Sequence, residues 1–126
     1  MVFPVKHKPT IYLVDDDDAV RDSLVFLLES HGFNVAAFAS INEFERARRI
    51  QGRACLILDH HLPGTTGLEF LASPKGVALH IPVIVITGGA DPTISARART
   101  LGVASFLEKP VREAPLLAAI ESAVSD

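Results

Sequence analysis

An α/β fold, with helices laid on both faces of a parallel sheet, is what this sequence predicts, and three observations predict it. Short, β-branched apolar runs recur along the chain, helical patterns separate them, and turn residues punctuate the joins. The runs are continuous rather than alternating, which suits central strands covered on both sides. Strand and helix alternate five times with short connections and no internal repeat, the order of a doubly wound sheet with right-handed crossovers.

The first strand is IYLV, Ile11 to Val14. The helix after it places Val20, Leu24, Leu27 and Leu28 on one face, and His31-Gly32 stops it. FNVAAF, Phe33 to Phe38, is a weaker second strand, after which Ser40-Ile41-Asn42-Glu43 fits a capping box opening a helix to about Arg49. ACLIL, Ala54 to Leu58, is the third strand, and Leu68 to Leu71 begins a short third helix. PVIVIT, Pro82 to Thr87, is the fourth strand. Asp91 caps a fourth helix with Pro92 at its first position, Ile94, Ala98 and Leu101 inward and Gly102 as the stop. ASFLE, Ala104 to Glu108, is a weaker fifth strand, and Val111 to Val124 forms a fifth helix that tolerates Pro115 in its first turn.

A chain of 126 residues, 48% of them hydrophobic, fits one domain over residues 1–126, with residues 1–9 as an N-terminal extension. The single cysteine, Cys55, lies inside ACLIL, so a disulfide framework is excluded, Cys55 reads as a core residue and a reducing cytoplasm is the natural compartment. A net charge of −3 argues against a nucleic-acid-binding surface, and the basic cluster Arg46, Arg48, Arg49 and Arg53 reads as a solvated helix face. No apolar run approaches the roughly 20 residues of a membrane span.

Four consecutive aspartates, Asp15 to Asp18, follow the first strand. Repulsion between neighbours about 6 Å apart is only roughly 0.7 kcal/mol in water but grows several-fold where solvent is poor. A helix cap accounts for one or two of the four. In an open α/β sheet ligands bind outside the carboxyl ends of the strands, and there Asp15-Asp16, Asp59, Thr87 and Glu108-Lys109-Pro110 gather. Clustered carboxylates call for a cation, and a few oxygen ligands suit Mg²⁺ completed by a phosphate oxygen. A lysine and a threonine supply donors to that phosphate, and a carboxylate there can itself be the nucleophile, forming an aspartyl phosphate.

The sequence resembles the receiver domain of two-component response regulators through VDD at Val14 to Asp16, LILDHHLPGTTG at Leu56 to Gly67, IVITGG at Ile84 to Gly89 and FLEKP at Phe106 to Pro110. The FixJ-like group is similar around DxxLPGxxG, VITG and EKP. The resemblance implies a flavodoxin-like five-stranded sheet in the order 2-1-3-4-5. It implies that Asp59 accepts a phosphoryl group from the phosphohistidine of a sensor histidine kinase. Asp16 and Asp59 would ligate Mg²⁺ with the backbone carbonyl of His61, and Asp15 would act through a metal-bound water. Lys109 and Thr87 would contact phosphoryl oxygens, Phe106 would be the aromatic switch, and the Lys109-Pro110 bond would be cis. The chain is then a phosphoacceptor switch rather than an enzyme. On phosphorylation it would dimerise or contact an output through the fourth helix, fifth strand and fifth helix, a surface carrying Arg97, Arg99 and Glu108. It is a stand-alone receiver or part of a regulator whose output domain binds DNA; this chain itself binds neither nucleic acid nor membrane.

Two other readings compete. Asp16-Asp17-Asp18-Ala19-Val20 satisfies D-x-D-x-V of haloacid-dehalogenase-like phosphatases, with Asp16 as nucleophile and Asp18 as acid/base, but the late acidic pair of such enzymes is missing. A receiver-like module that binds protein without being phosphorylated is the other. His60-His61 reads as solvated loop rather than a ligand pair, with Pro63, Gly64 and Gly67 shaping that loop.

Overall fold

The computed structural model describes residues 8–47, 49–89 and 91–125. In chain order the elements are β1 (Thr10–Val14), α1 (Asp18–Ser30), β2 (Asn34–Phe38), α2 (Ile41–Ala47), β3 (Ala54–Asp59), α3 (Gly67–Ala72), α4 (Pro74–Val77), β4 (Val83–Thr87), α5 (Pro92–Thr100), β5 (Ser105–Glu108) and α6 (Glu113–Val124). All strand pairs are parallel, and the sheet order is β2-β1-β3-β4-β5.

The continuous apolar runs feed two cores. Because side chains alternate across a strand, Tyr12, Val14, Leu56, Leu58, Val83 and Val85 fall on one face, under Phe44, Leu68, Phe70 and Ala98 of α2, α3 and α5. Ile11, Leu13, Cys55, Ile57, Ile84 and Ile86 fall on the other, against Leu24 and Leu28 of α1 and Leu116, Ala119 and Ile120 of α6. β3, in the centre, is buried at every residue.

Local chemistry explains most boundaries. Gly32, at φ +87, and Gly102, at φ +77, turn the chain out of α1 and α5. The Ser40 hydroxyl accepts from the Glu43 N–H at 3.1 Å, while the Glu43 carboxylate reaches back to the Ala39 N–H at 3.1 Å, one residue beyond a standard capping box. The short α4 was not foreseen; Ser73 caps it, accepting from the Gly76 N–H at 3.3 Å, with Pro74 in its first turn.

Several expectations need correction. α6 begins at Glu113 rather than Val111, because Pro115 has no N–H to give the carbonyl of Val111 and is free of that demand only within the first turn. α2 ends at Ala47, and Arg48 lies outside the described residues. The arginine cluster is therefore not one helix face: the Arg49 carbonyl accepts from the Tyr12 hydroxyl, and Arg53, just before β3, donates to the Val124 carbonyl. Leu101 is 36% exposed, because it sits at the C-cap where the chain leaves the helical path, and Val103 packs inward instead.

Candidate functional site

β1 runs out at Val14, and the next residue still belongs to its ladder: the Asp15 N–H donates to the Phe38 carbonyl at 3.1 Å. The Asp15 side chain is fully buried. Its Oδ1 accepts from the Asp17 N–H at 2.9 Å, and its Oδ2 lies 3.0 Å from Lys109 Nζ with no aligned hydrogen-bond donor among the described residues. Asp17 is the N-cap of α1, accepting from the N–H groups of Ala19 (2.9 Å) and Val20 (3.1 Å). Asp18, exposed, opens the helix and pairs with Arg21. The four aspartates thus divide into a buried-to-exposed pair at the sheet edge, Asp15 and Asp16, and a helix-terminal pair.

Asp59 ends β3 and is 1% exposed. One carboxylate oxygen accepts from the His61 N–H at 3.0 Å and the other from Lys109 Nζ at 3.1 Å. Asp15, Asp16 and Asp59 each offer a carboxylate oxygen, and these lie within 4.8 Å of one another. Burial pushes the Asp59 carboxyl above its ordinary value and the charge of Asp15 adds to this, while hydrogen bonds from Lys109 and His61 pull the other way. Burial disfavours the Lys109 ammonium too, but its pairing with the Asp15 and Asp59 carboxylates outweighs that and raises its pKa.

The loop after Asp59 is shaped by contact. A Cβ on Gly67 would stand 2.7 Å from the Asp59 carbonyl oxygen, so only glycine lets α3 begin against the end of β3. His60 is not solvated: it is 6% exposed, its Nδ1 is 3.5 Å from the Leu68 N–H, and burial lowers its pKa. Its position explains this, since Ala54, Leu56 and Leu58 face the α2–α5 side of the sheet and His60 follows the same alternation. His61 is exposed, and its amide holds Asp59.

Thr87 closes β4, fully buried, its hydroxyl accepting from the Gly89 N–H at 3.4 Å and its carbonyl from the Lys109 N–H at 2.7 Å. Val85, on the same face two residues earlier, is the register partner of Phe106, which is half-buried against the α2–α5 core. The Lys109-Pro110 peptide is cis. Glu108 is exposed and outside the acidic cluster. Sequence reasoning missed Arg21, whose Nη1 donates to the Asp15 carbonyl at 2.7 Å; an arginine one turn into the helix behind the aspartates was the available signal.

Three carboxylates face one ammonium, and a buried Asp15 oxygen lacks an aligned donor, so the donor set fits a divalent cation with oxygen ligands. Asp18 is outside this set and pairs with Arg21, so the geometry lends the phosphatase reading no support.

Comparison with known proteins agrees with the geometry. The family model for the response regulator receiver domain matches residues 11–121. The chain is 41% identical over 114 residues to the transcriptional regulatory protein FixJ of Azorhizobium caulinodans, covering 90% of this chain and 54% of that protein. It superposes on full-length FixJ from B. japonicum with a TM-score of 0.83 at 39% identity, over 94% of this chain and 59% of the other. It also superposes on a CheY-like receiver domain protein from Methanospirillum hungatei with a TM-score of 0.81 at 27% identity, over 93% and 94% of the two chains. The chain spans about half the length of the curated relatives it matches, 54% and 57% for two FixJ proteins.

Proposed function

The chain belongs to the response regulator receiver domain family, and on that premise we propose that it takes a phosphoryl group onto Asp59 from the phosphohistidine of a sensor histidine kinase and changes conformation in response. One observation carries this reading: Asp59 is a buried carboxylate held at the sheet edge by one lysine and one backbone N–H, among two further carboxylates. A carboxylate oxygen of Asp59 attacks phosphorus as the P–N bond breaks, and the bonding pair leaves with the imidazole nitrogen of the donor.

Asp16, Asp59 and the His61 carbonyl would hold Mg²⁺, with Asp15 acting through a water. When bound, Mg²⁺ supplies positive charge between the carboxylates and the phosphoryl oxygens. Lys109, already 3.1 Å from Asp59, follows the charge as it moves onto a phosphoryl oxygen. The Thr87 hydroxyl turns from Gly89 to donate to another, and Phe106 takes up the space released. The consequence is a population shift that reshapes the surface of α5, β5 and α6, where Arg97, Arg99 and Glu108 are exposed. Those are the fourth and fifth helices of the sequence reading, and their surface is the dimer or output interface.

In this reading residues 1–126 form one receiver unit with residues 1–9 as an extension, a phosphoacceptor rather than an enzyme. Its output lies elsewhere, through transcription as in the FixJ relatives. The buried free thiol of Cys55 supports a reducing, cytoplasmic setting. Among the described residues no helix is long and apolar enough to cross a membrane.

Mass spectrometry after incubation with Mg²⁺ and a small acyl phosphate or phosphoramidate tests the reading. One phosphoryl group is expected on Asp59, and none on the Asp59→Asn variant. Absence of the adduct from the wild type would favour a protein-binding module that is not phosphorylated.

A further inference from the structure

Asp15 and Asp16 serve a common site only if the turn that carries them is held still, and among the described residues the sheet contributes only the bond from the Asp15 N–H to Phe38. The remaining restraint comes from α1. Arg21 reaches back from one turn into the helix: Nη1 donates to the Asp15 carbonyl at 2.7 Å, while Nη2 pairs with the Asp18 carboxylate. The side chain is 18% exposed, so it lies along the protein surface instead of in solvent. One planar guanidinium therefore spans both ends of the Asp15–Asp18 turn. Between those anchors Asp17 is fixed twice, by its N–H on Asp15 Oδ1 at 2.9 Å and by capping α1. That leaves Asp16 strung between fixed points, its carboxylate brought within 4.8 Å of those of Asp15 and Asp59.

We infer that Arg21 is a positioning residue of the phosphoacceptor site, fixing the Asp15–Asp16 peptide so that the carboxylates converge. It touches none of the three carboxylates of the cluster; it acts through the Asp15 carbonyl and through its charge beside Asp15, Asp18 and Asp22. The inference rests on the proposed receiver chemistry, but its measurement does not depend on phosphorylation.

Mg²⁺ binding is measured by calorimetry on the folded wild type and on Arg21→Gln, Arg21→Lys and Asp18→Asn, well below each unfolding temperature. Arg21→Gln should weaken Mg²⁺ about tenfold, the order expected for a lost charged hydrogen bond. Arg21→Lys keeps the charge but not the fork and should lose about threefold; Asp18→Asn keeps the Asp15 bond and should stay within about twofold. Saturating Mg²⁺ should restore the phosphorylation rate of Arg21→Gln, and its Asp17 amide should exchange faster with solvent. A Mg²⁺ affinity within about twofold of wild type, or a rate loss that saturating Mg²⁺ does not restore, overturns the inference. If Arg21→Gln does not fold, wild-type affinity together with wild-type Asp17 exchange in Arg21→Lys overturns it. If Asp59 accepts no phosphoryl group yet Arg21→Gln still weakens Mg²⁺ about tenfold, the receiver chemistry falls and the role of Arg21 stands. A wild type that binds no Mg²⁺ ends both.

Discussion

Replacing the phosphoacceptor should make the metal-free protein more stable. Asp59 is 1% exposed, lies 3.1 Å from Lys109 and has carboxylate oxygens of Asp15 and Asp16 within 4.8 Å. At an effective dielectric of about 20, a carboxylate at that 4.8 Å limit repels it by about 3.5 kcal/mol, with Asp16 contributing less because it is in solvent. The attraction to Lys109 on the same scale is about 5 kcal/mol, so the Coulomb terms nearly cancel and burial of the charge remains uncompensated. An asparagine in its place would keep the volume and the bond from the His61 N–H, and Lys109 would stay paired with Asp15. Asp59→Asn should therefore stabilise the apo protein by about 1–2 kcal/mol at pH 7. With an unfolding entropy of about 2.1 cal/mol/K per residue, this raises Tm by about 4–8 °C.

The pH dependence carries a definite sign. The folded-state carboxyl titrates above its ordinary value of 3.8, burial being the main cause, so ionising it destabilises the fold. The penalty is absent below that ordinary value and complete once pH exceeds the raised one. Unfolding followed by circular dichroism in chelator should show the variant ahead at pH 7 and level with wild type at about pH 3. Millimolar Mg²⁺ should erode the lead, since it stabilises the wild type preferentially. A variant less stable than wild type at pH 7, or equally ahead at both pH values, would refute the reasoning.

Four further outcomes follow from particular residues. Asp16→Asn should weaken Mg²⁺ binding more than tenfold, about the loss of one charged ligand, whereas Asp18→Asn should barely alter it; equal effects in calorimetry would show that the division of the four aspartates is wrong. Gly76→Ala would set a Cβ 2.1 Å from the Phe70 carbonyl oxygen, so urea unfolding should report a loss of about 3 kcal/mol or more, while Gly88→Ala, with nothing within 4 Å, should cost under about 0.5 kcal/mol. Burial pushes the Cys55 thiol up to about 12, so an alkylating reagent at mildly alkaline pH should label it only on unfolding, and prompt labelling of the native protein would contradict that. Gly89, two residues after Thr87, has no side chain to orient a hydrolytic water, so the phosphorylated domain should decay over minutes or longer; a lifetime of seconds would count against this.

The strands and their carboxyl ends were legible because a buried parallel strand is a contiguous signal: each apolar run names its own last residue, and the polar residue after it lands at the sheet edge. The helices that announce themselves by caps, α1 through Asp17 and α5 through Asp91, were legible for the same local reason. What escaped depends on contacts between elements. His60 reads as loop from its neighbours, yet its parity with Leu56 and Leu58 turns it inward. Arg21 looks like any surface arginine until the end of β1 is set beside the first turn of α1. Gly67 reads as turn chemistry, whereas the reason for it is a carbonyl 2.7 Å from where a Cβ would be.

The side chains proposed to move are weakly held. Thr87 is fully buried, but its hydroxyl receives only a 3.4 Å bond from Gly89, longer than the usual range for N–H to oxygen, so little is lost when it swings to a better acceptor. Phe106 is half-buried in a four-residue strand paired on one side only, with solvent available to its ring. The carboxylates of Asp15 and Asp59, by contrast, are held by the N–H groups of Asp17 and His61 and by Lys109. A rigid site beside weakly held side chains is the arrangement in which one added phosphoryl group shifts a balance of a few kcal/mol, because binding acts on the part that can yield.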